Sequence, residues 1–145
     1  MSVPPAFSTV SALTELLVTA AVYWFFWRAL KFQDYRWGMI AVAIAYETLF
    51  NITYMVSRLF THEEGVTHQH DPWVTWFVAL HGTLSLGMFI GLVWYVVAAR
   101  RAFTRGVSDP IGLRPRLAAW FLVLWTISVA SGEAIYAFYW LDVIT

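Results

Sequence analysis

Four side chains that can ionise or form strong hydrogen bonds interrupt otherwise apolar stretches of this chain. They are Glu47, Asn51, His81 and Glu133, the last within "TISVASGEAIYAFYWL", residues 126–141. A carboxylate that faces lipid alone costs from about 3 to more than 10 kcal/mol. We therefore predict that these side chains face one another as a buried polar cluster. Imidazole, carboxylate and amide groups held together could bind a metal ion, exchange protons or fix the register of helices.

The chemistry of this cluster is left open between four interpretations. It could be a hydrogen-bonded network that is only structural, a proton or quinone site, a metal site or a haem site. One imidazole with carboxylates, as in His81, Glu47 and Glu133, is a ligand set for iron, manganese or zinc. Since His81 is the one histidine in these apolar stretches, a b-type haem would need single-histidine ligation or a ligand from another subunit.

Depth along a helix gives the reason to group these residues. At about 1.5 Å per residue, Asn51, His81 and Glu133 each lie about 12 to 13 Å from the helix end on one common side of the predicted bundle. Glu47 is expected to be deeper and Glu15 shallower. Tyr54 and Arg58 share the helix face of Glu47 and Asn51, and Ser85 shares the face of His81. Together with Glu15 of the first window, they are the supporting polar residues.

A second candidate metal site is the polar segment "THEEGVTHQHDPW" between the second and third apolar stretches. His68 and His70 are two residues apart, so on an extended segment they would point the same way and could share copper or zinc. The alternative is a solvated polar loop.

Composition indicates that the surrounding solvent is lipid. Of the 145 residues, 60% are hydrophobic and 12% are charged, against about 25% charged in soluble domains. A membrane helix needs about 20 mostly apolar residues, and four windows qualify: 10–30, 37–60, 73–99 and 117–141. We predict an all-α polytopic membrane protein, a single transmembrane domain over 1–145 formed by an antiparallel four-helix bundle.

Basic residues predict the orientation of this bundle. Eight of the nine Lys and Arg residues flank the first and third connections, and Arg58 alone lies at the other side. By the positive-inside rule, loops 31–36 and 100–116 are cytoplasmic, whereas loop 61–72 and both termini lie outside. We expect an integral protein of a prokaryotic plasma membrane. The net charge of zero and the lack of cysteine argue against nucleic acid as a partner and against disulfide or thiolate chemistry.

Small residues predict how the helices pack. Ala79, Thr83, Gly87 and Gly91 recur at a spacing of four, and we call them the small-residue stripe. Ser128 and Gly132 repeat the spacing in the fourth window. Small residues let helix backbones approach closely in lipid, so both sets are predicted to be packing seams of the bundle.

Three segments resemble those of the small CtaM/YozB-type four-helix membrane proteins, which are linked to cytochrome c oxidase and its assembly. The segments are "FQDYRWGMIAVAIAYETLFNITYMV", "WVTWFVALHGTLSLGMFIGLVWYVVAARRAF" and "GLRPRLAAWFLVLWTISVASGEAIYAFYW". His81 stands at the position of that family's third-span histidine. The resemblance implies a non-catalytic accessory subunit or assembly factor of a larger respiratory or redox complex, with the lipid bilayer and other membrane subunits as partners. The alternatives are a small membrane metalloprotein or haem-binding enzyme, and a proton or quinone site protein.

Overall fold

The described part of the protein is built from four α-helices. The computed structural model describes residues 6–60 and 72–140. In chain order the helices are α1 (Ala6–Phe32), α2 (Trp37–Phe60), α3 (Pro72–Thr104) and α4 (Pro115–Trp140). The all-helical prediction is confirmed. α1 begins four residues before the predicted window, α3 continues five residues past its window, and α4 begins two residues before its window.

Three of these helices are long and apolar enough to cross a membrane. Their candidate spans are Ala12–Phe32, Trp76–Thr104 and Pro115–Ala137. In α2 the apolar part that the structure describes is shorter, Trp37–Thr53. The predicted spans of α1, α3 and α4 are thus supported by length and composition, and the predicted span of α2 stays a prediction. Large apolar side chains are exposed on all four helices, among them Leu17, Val42, Trp76 and Trp120, and they suit a surface that meets lipid.

α1 and α4 form the middle of the bundle. α1 packs against α2 and α4, and α4 packs against α3. Hydrogen bonds show that these neighbours are antiparallel, because Thr9 meets Tyr136 whereas Thr19 meets Trp125. His81 likewise meets Ser131 of α4 near the start of α3. The α1–α2 and α3–α4 loops therefore lie at one end of the bundle.

Local sequence accounts for where the helices begin and end. Pro72 and Pro115 occupy the first positions of α3 and α4, where a missing N–H costs nothing. Gly106 follows α3 with φ of 92°. The N–H of Gly106 bonds Phe103 O at 3.0 Å, and the N–H of Val107 bonds Ala102 O at 3.1 Å. This pair of bonds is a Schellman motif, which needs the left-handed conformation that glycine adopts without strain.

The two loops at this end are joined through Asp109. Its carboxylate accepts hydrogen bonds from the Tyr35 hydroxyl at 2.5 Å and the Gly112 N–H at 2.8 Å. We call Tyr35, Asp109 and Gly112 the loop clamp. A Cβ on Gly112 would collide with the Asp109 carboxylate, so the clamp requires glycine there. Beside it Ile111 is fully buried, which anchors the second loop in the core.

The ionisation states of Asp34 and Tyr35 in the α1–α2 loop follow from their contacts. The guanidinium of Arg28 hydrogen-bonds Asp34, and Arg36 Nε lies 3.1 Å from the same carboxylate. The bond from Arg28 holds the pKa of Asp34 below its usual value. Burial, together with the bond to Asp109, raises the pKa of Tyr35 well above its usual range. Asp34 is therefore ionised and Tyr35 neutral at ordinary pH.

Candidate functional site

A small cavity lies inside the bundle, with residues of all four helices around it. We call it the interior cavity. Its volume of about 20 Å³ leaves room for about one water-sized particle. Four polar side chains line it, one from each helix: Glu15, Glu47, Ser85 and Ser128. The rest of the lining is apolar or aromatic, so the polar groups face a space with few other polar neighbours.

Glu15 is the centre of the ionisable group. It interacts electrostatically with Glu47 of α2 and Glu133 of α4. Its Oε2 atom lies 3.3 Å from the position that a Cβ on Gly132 would occupy, and His81 Nε2 lies at the same distance from that position. Each of the other three helices thus brings one ionisable side chain toward Glu15. The sequence had predicted Glu15 as a shallower, supporting residue.

The hydrogen bonds of His81 define which ring nitrogen carries the proton. The Ser131 hydroxyl donates to the Ser128 carbonyl at 2.7 Å, which uses its only hydrogen. His81 Nδ1 lies 2.8 Å from the same hydroxyl oxygen. We assign the proton to Nδ1, with Ser131 as the acceptor, because the hydroxyl then keeps its bond to Ser128. In the neutral ring, Nε2 is then left with a free lone pair on the side of Gly132 and Glu15.

Glu133 does not bond to the histidine that the sequence predicted as its partner. His81 is paired with Ser131 instead. Within the part of the chain that the structure describes, Glu133 Oε1 is buried and has no hydrogen-bond partner. A buried oxygen of this kind needs an explanation such as a bound proton, water or ion.

Asn51 lies outside this interior group. It is exposed, and its amide donates to the backbone carbonyl of Glu47 at 2.9 Å and to Glu47 Oε1 at 3.1 Å. The prediction of a buried cluster is therefore wrong for Asn51, because its amide is satisfied one turn back on its own helix. Glu47 is half-buried and reaches the interior cavity.

The remaining predicted residues divide into two sets. Ser85 lines the interior cavity. The side chains of Tyr54 and Arg58, and the whole of His68 and His70, lie outside what the structure describes. Among the residues it does describe, no group of three or more His, Asp or Glu side chains is arranged to hold a metal ion. The proposed set of His81, Glu47 and Glu133 is thus not assembled as metal ligands.

A row of polar contacts joins α1 to α4 on either side of the interior cavity. Thr9 Oγ1 and Tyr136 OH are 3.0 Å apart, and Trp125 Nε1 donates to Thr19 Oγ1 at 3.1 Å. Further along, the hydroxyl of Tyr23 bonds that of Thr126. Interhelical hydrogen bonds in a membrane contribute about 0.6 kcal/mol each on average. These contacts fix the register that places Glu15 opposite Gly132.

Sequence reasoning missed the importance of Glu15, Ser131 and Gly132. The signal for Glu15 was present: α1 begins at Ala6, which puts Glu15 about 13 Å along the helix rather than near its start. Gly132 makes space, since a Cβ there would lie 2.9 Å from His81 Cε1. Ser131 carries no spacing signal, because its role depends on how α4 is rotated.

Replacing Ser131 with alanine should leave the Nδ1–H of His81 without its acceptor. We expect a loss of about 1 to 2 kcal/mol in the free energy of unfolding. The ring should also lose its single tautomer, which nitrogen NMR of labelled histidine measures. Thr83→Ala is the matched control, since that hydroxyl is exposed and bonds only Ala79 O of its own helix. A His81 spectrum that is unchanged in Ser131→Ala would contradict the assigned tautomer.

The fold and the site together define a helical protein with candidate transmembrane helices and an ionisable interior. Beyond this class, comparison with known proteins adds nothing: no family model, no curated protein and no solved structure matches the chain.

Proposed function

We propose that this chain is a non-catalytic accessory subunit or assembly factor of a larger membrane complex. The observation that carries the proposal is the exposed part of the small-residue stripe on α3. Ala79, Thr83 and Gly87 are exposed, and nothing approaches within 4 Å of where a Cβ on Gly87 would lie. Only Gly91 packs inside the bundle, with its Cβ position 3.5 Å from Phe121.

This placement corrects the prediction that the whole stripe packs within the bundle. Among the closely packed helix pairs, α3 takes part only in the pair with α4. The face of α3 that is turned away from α4 is therefore open. Small residues at a spacing of four allow a second helix to approach closely, which replaces the hydrophobic force that lipid cannot supply. The occupant that fits this face is a transmembrane helix of a larger subunit.

The kind of complex and the orientation rest on the sequence. The resemblance to the CtaM/YozB-type proteins supports a respiratory or redox complex. The two basic loops meet at the loop clamp, and eight of nine Lys and Arg residues flank them. The positive-inside rule then supports an orientation with this end in the cytoplasm and both termini outside, and the membrane in this proposal is a prokaryotic plasma membrane.

The test uses the absence of cysteine from the chain. A single Thr83→Cys variant should cross-link to a larger membrane protein in native membranes, whereas Leu49→Cys should give little product. Leu49 is a suitable control because it is 65% exposed on α2, two residues from the cavity-lining Glu47. Identical products at both positions, or recovery of the unlinked chain alone, would contradict the proposal.

Measuring the stability of the isolated chain distinguishes a variant that has lost its interface from one that has lost its fold. Gly87→Leu should abolish co-purification of the larger subunit in mild detergent, because the bulky side chain blocks close approach. The isolated chain should unfold as the original does, since the position is open in the bundle. A partner that is retained in Gly87→Leu would show that α3 is not the contacting face.

A further inference from the structure

We propose that one anionic phospholipid binds an open groove on α4, at the end of the bundle where the α1–α2 and α3–α4 loops lie. The groove is lined by Arg116, Ala119, Trp120 and Val123, and we call it the α4 groove. All four of these side chains are exposed. Because the lining comes from α4 alone, this inference is independent of the proposed docking face on α3.

The α4 groove presents its side chains in the order in which a phospholipid presents its parts. Arg116 is the second residue of α4, at the edge of the candidate span Pro115–Ala137, where a phosphate headgroup would lie. Trp120 follows one turn deeper and is 67% exposed, and indole rings prefer the level between headgroups and acyl chains. Val123 lies about 10 Å deeper than Arg116. Ala119 has the smallest side chain of the four, so it leaves room for an acyl chain beside Trp120.

Charge complementarity at this end of the bundle selects an anionic lipid. Residues 28–36 and 100–116 hold eight basic side chains and two acidic ones. Both carboxylates are already engaged, since Asp34 pairs with two neighbouring arginines and Asp109 belongs to the loop clamp. The excess of positive charge should therefore attract anionic headgroups.

Arg116 differs from the basic residues near the end of α1. The guanidinium of Arg28 lies 5.5 Å from the ring centre of Trp24, and the ammonium of Lys31 lies 5.6 Å from that of Trp27. None of the ion pairs or cation–π contacts of the described residues involves Arg116. Its guanidinium is therefore available to bind a phosphate with two parallel hydrogen bonds, directly above the apolar part of the α4 groove.

The experiment measures binding of phosphatidylglycerol to the purified chain by native mass spectrometry. A titration in mild detergent should show one phosphatidylglycerol bound saturably per chain. Phosphatidylcholine with the same acyl chains should bind about fivefold more weakly or worse, because its headgroup carries no net charge. Glycerol phosphate, which has the phosphate without acyl chains, should not compete at equal concentration. Equal binding of the two lipids, or effective competition by glycerol phosphate, would overturn the proposal.

Paired variants separate the α4 groove from the general charge of this end. Arg116→Gln should weaken phosphatidylglycerol binding about tenfold, because a hydrogen-bonded charge partner is lost. Arg101→Gln removes the same charge from the last turn of α3. It should weaken binding less than about twofold, since exposed charges about a Debye length apart are screened in physiological salt. Trp120→Ala and Trp94→Ala each remove a ring that is 67% exposed, and only the first should weaken binding.

Two further results would contradict the assignment of the groove. Equal effects of Arg116→Gln and Arg101→Gln would show that the whole basic end attracts lipid without a site. Ala119→Leu keeps every charge and fills the groove, so undiminished binding in this variant would show that the groove holds no acyl chain. Thermal unfolding without added lipid should be alike in all variants, because every substituted side chain is exposed. Cross-linking of Trp120→Cys to a larger membrane protein in native membranes would assign the α4 groove to a protein partner instead.

Discussion

Gly132→Ala should destabilise the bundle by about 2 kcal/mol, although alanine is the better helix former by about 1 kcal/mol. The added Cβ would lie 2.9 Å from His81 Cε1 and 3.3 Å from Glu15 Oε2, so a neighbour has to move. His81 has little freedom to do so, because its Nδ1 is bonded to Ser131. Overpacking of this kind costs about 1 to 3 kcal/mol, and displacement of the ring adds the loss of a buried hydrogen bond.

The measurement is reversible unfolding of the purified chain in mixed micelles, with Gly87→Ala as the matched control. Gly87 also lies within a helix, but nothing is near its Cβ position. The helix propensity of alanine should therefore appear alone, as a gain of up to about 1 kcal/mol. Equal effects of the two substitutions would show that His81 and Glu15 do not crowd Gly132. Partial rescue of Gly132→Ala by His81→Ala would identify the ring as the clashing group.

The helices could be predicted because hydrophobic length determines them. Runs of apolar residues gave the elements within about five residues at their ends. The ends were less predictable: α3 continues to Thr104, past Arg100 and Arg101, and stops where Gly106 allows a left-handed residue. Hydropathy falls at Arg100 and Arg101, but the backbone hydrogen bonds of the helix continue past them.

The depth of the candidate site along the helices could be predicted from the sequence, but the contacts of its side chains could not. Counting residues from the helix ends brought His81 to the level of Glu133, and the structure places His81 against Ser131 and Gly132, just before it. Which residue a side chain meets depends on the rotation of each helix about its axis, and that is set by packing. α4 turns Ser131 toward His81 and leaves Glu133 Oε1 without a partner. Spacing along one chain carries no such information.

The same limit explains the small-residue stripe. The spacing of four indicates a surface for close helix contact, but it does not indicate which helix makes the contact. The structure uses Gly91 against Phe121 and leaves Gly87 open. In lipid an open face of this kind costs little by itself, because acyl chains cover it. Its assignment therefore needs a partner experiment rather than a stability measurement.

Asp109→Ala should lower the free energy of unfolding by about 2 to 3 kcal/mol, the largest effect expected in either loop. The carboxylate accepts from Tyr35 OH at 2.5 Å, Gly112 N at 2.8 Å and Gln33 Nε2 at 3.5 Å. Hydrogen bonds to a charged group contribute about 1.5 to 3 kcal/mol, and the half-buried Tyr35 hydroxyl would be left without its acceptor. Asp109→Asn keeps one carbonyl oxygen and should lose less. Asp34→Ala is the control, since its partly exposed ion pairs with Arg28 and Arg36 should contribute less than the bonds of Asp109.

The pH dependence of unfolding distinguishes loss of the loop clamp from general damage. The pKa of Tyr35 is raised, first by burial and then by the bond to Asp109. A raised folded-state pKa contributes stability that is fully present below the ordinary tyrosine pKa of about 10 and is lost as the pH rises above it. The original chain should therefore weaken in alkali, and Tyr35→Phe should remove that part of the slope, since phenylalanine cannot ionise. In Asp109→Ala the slope should become shallower, because the bond to the carboxylate is gone while burial remains. An alkaline slope that Tyr35→Phe leaves unaltered would mean that the two loops are held together by Ile111 and the surrounding aromatic rings rather than by the clamp.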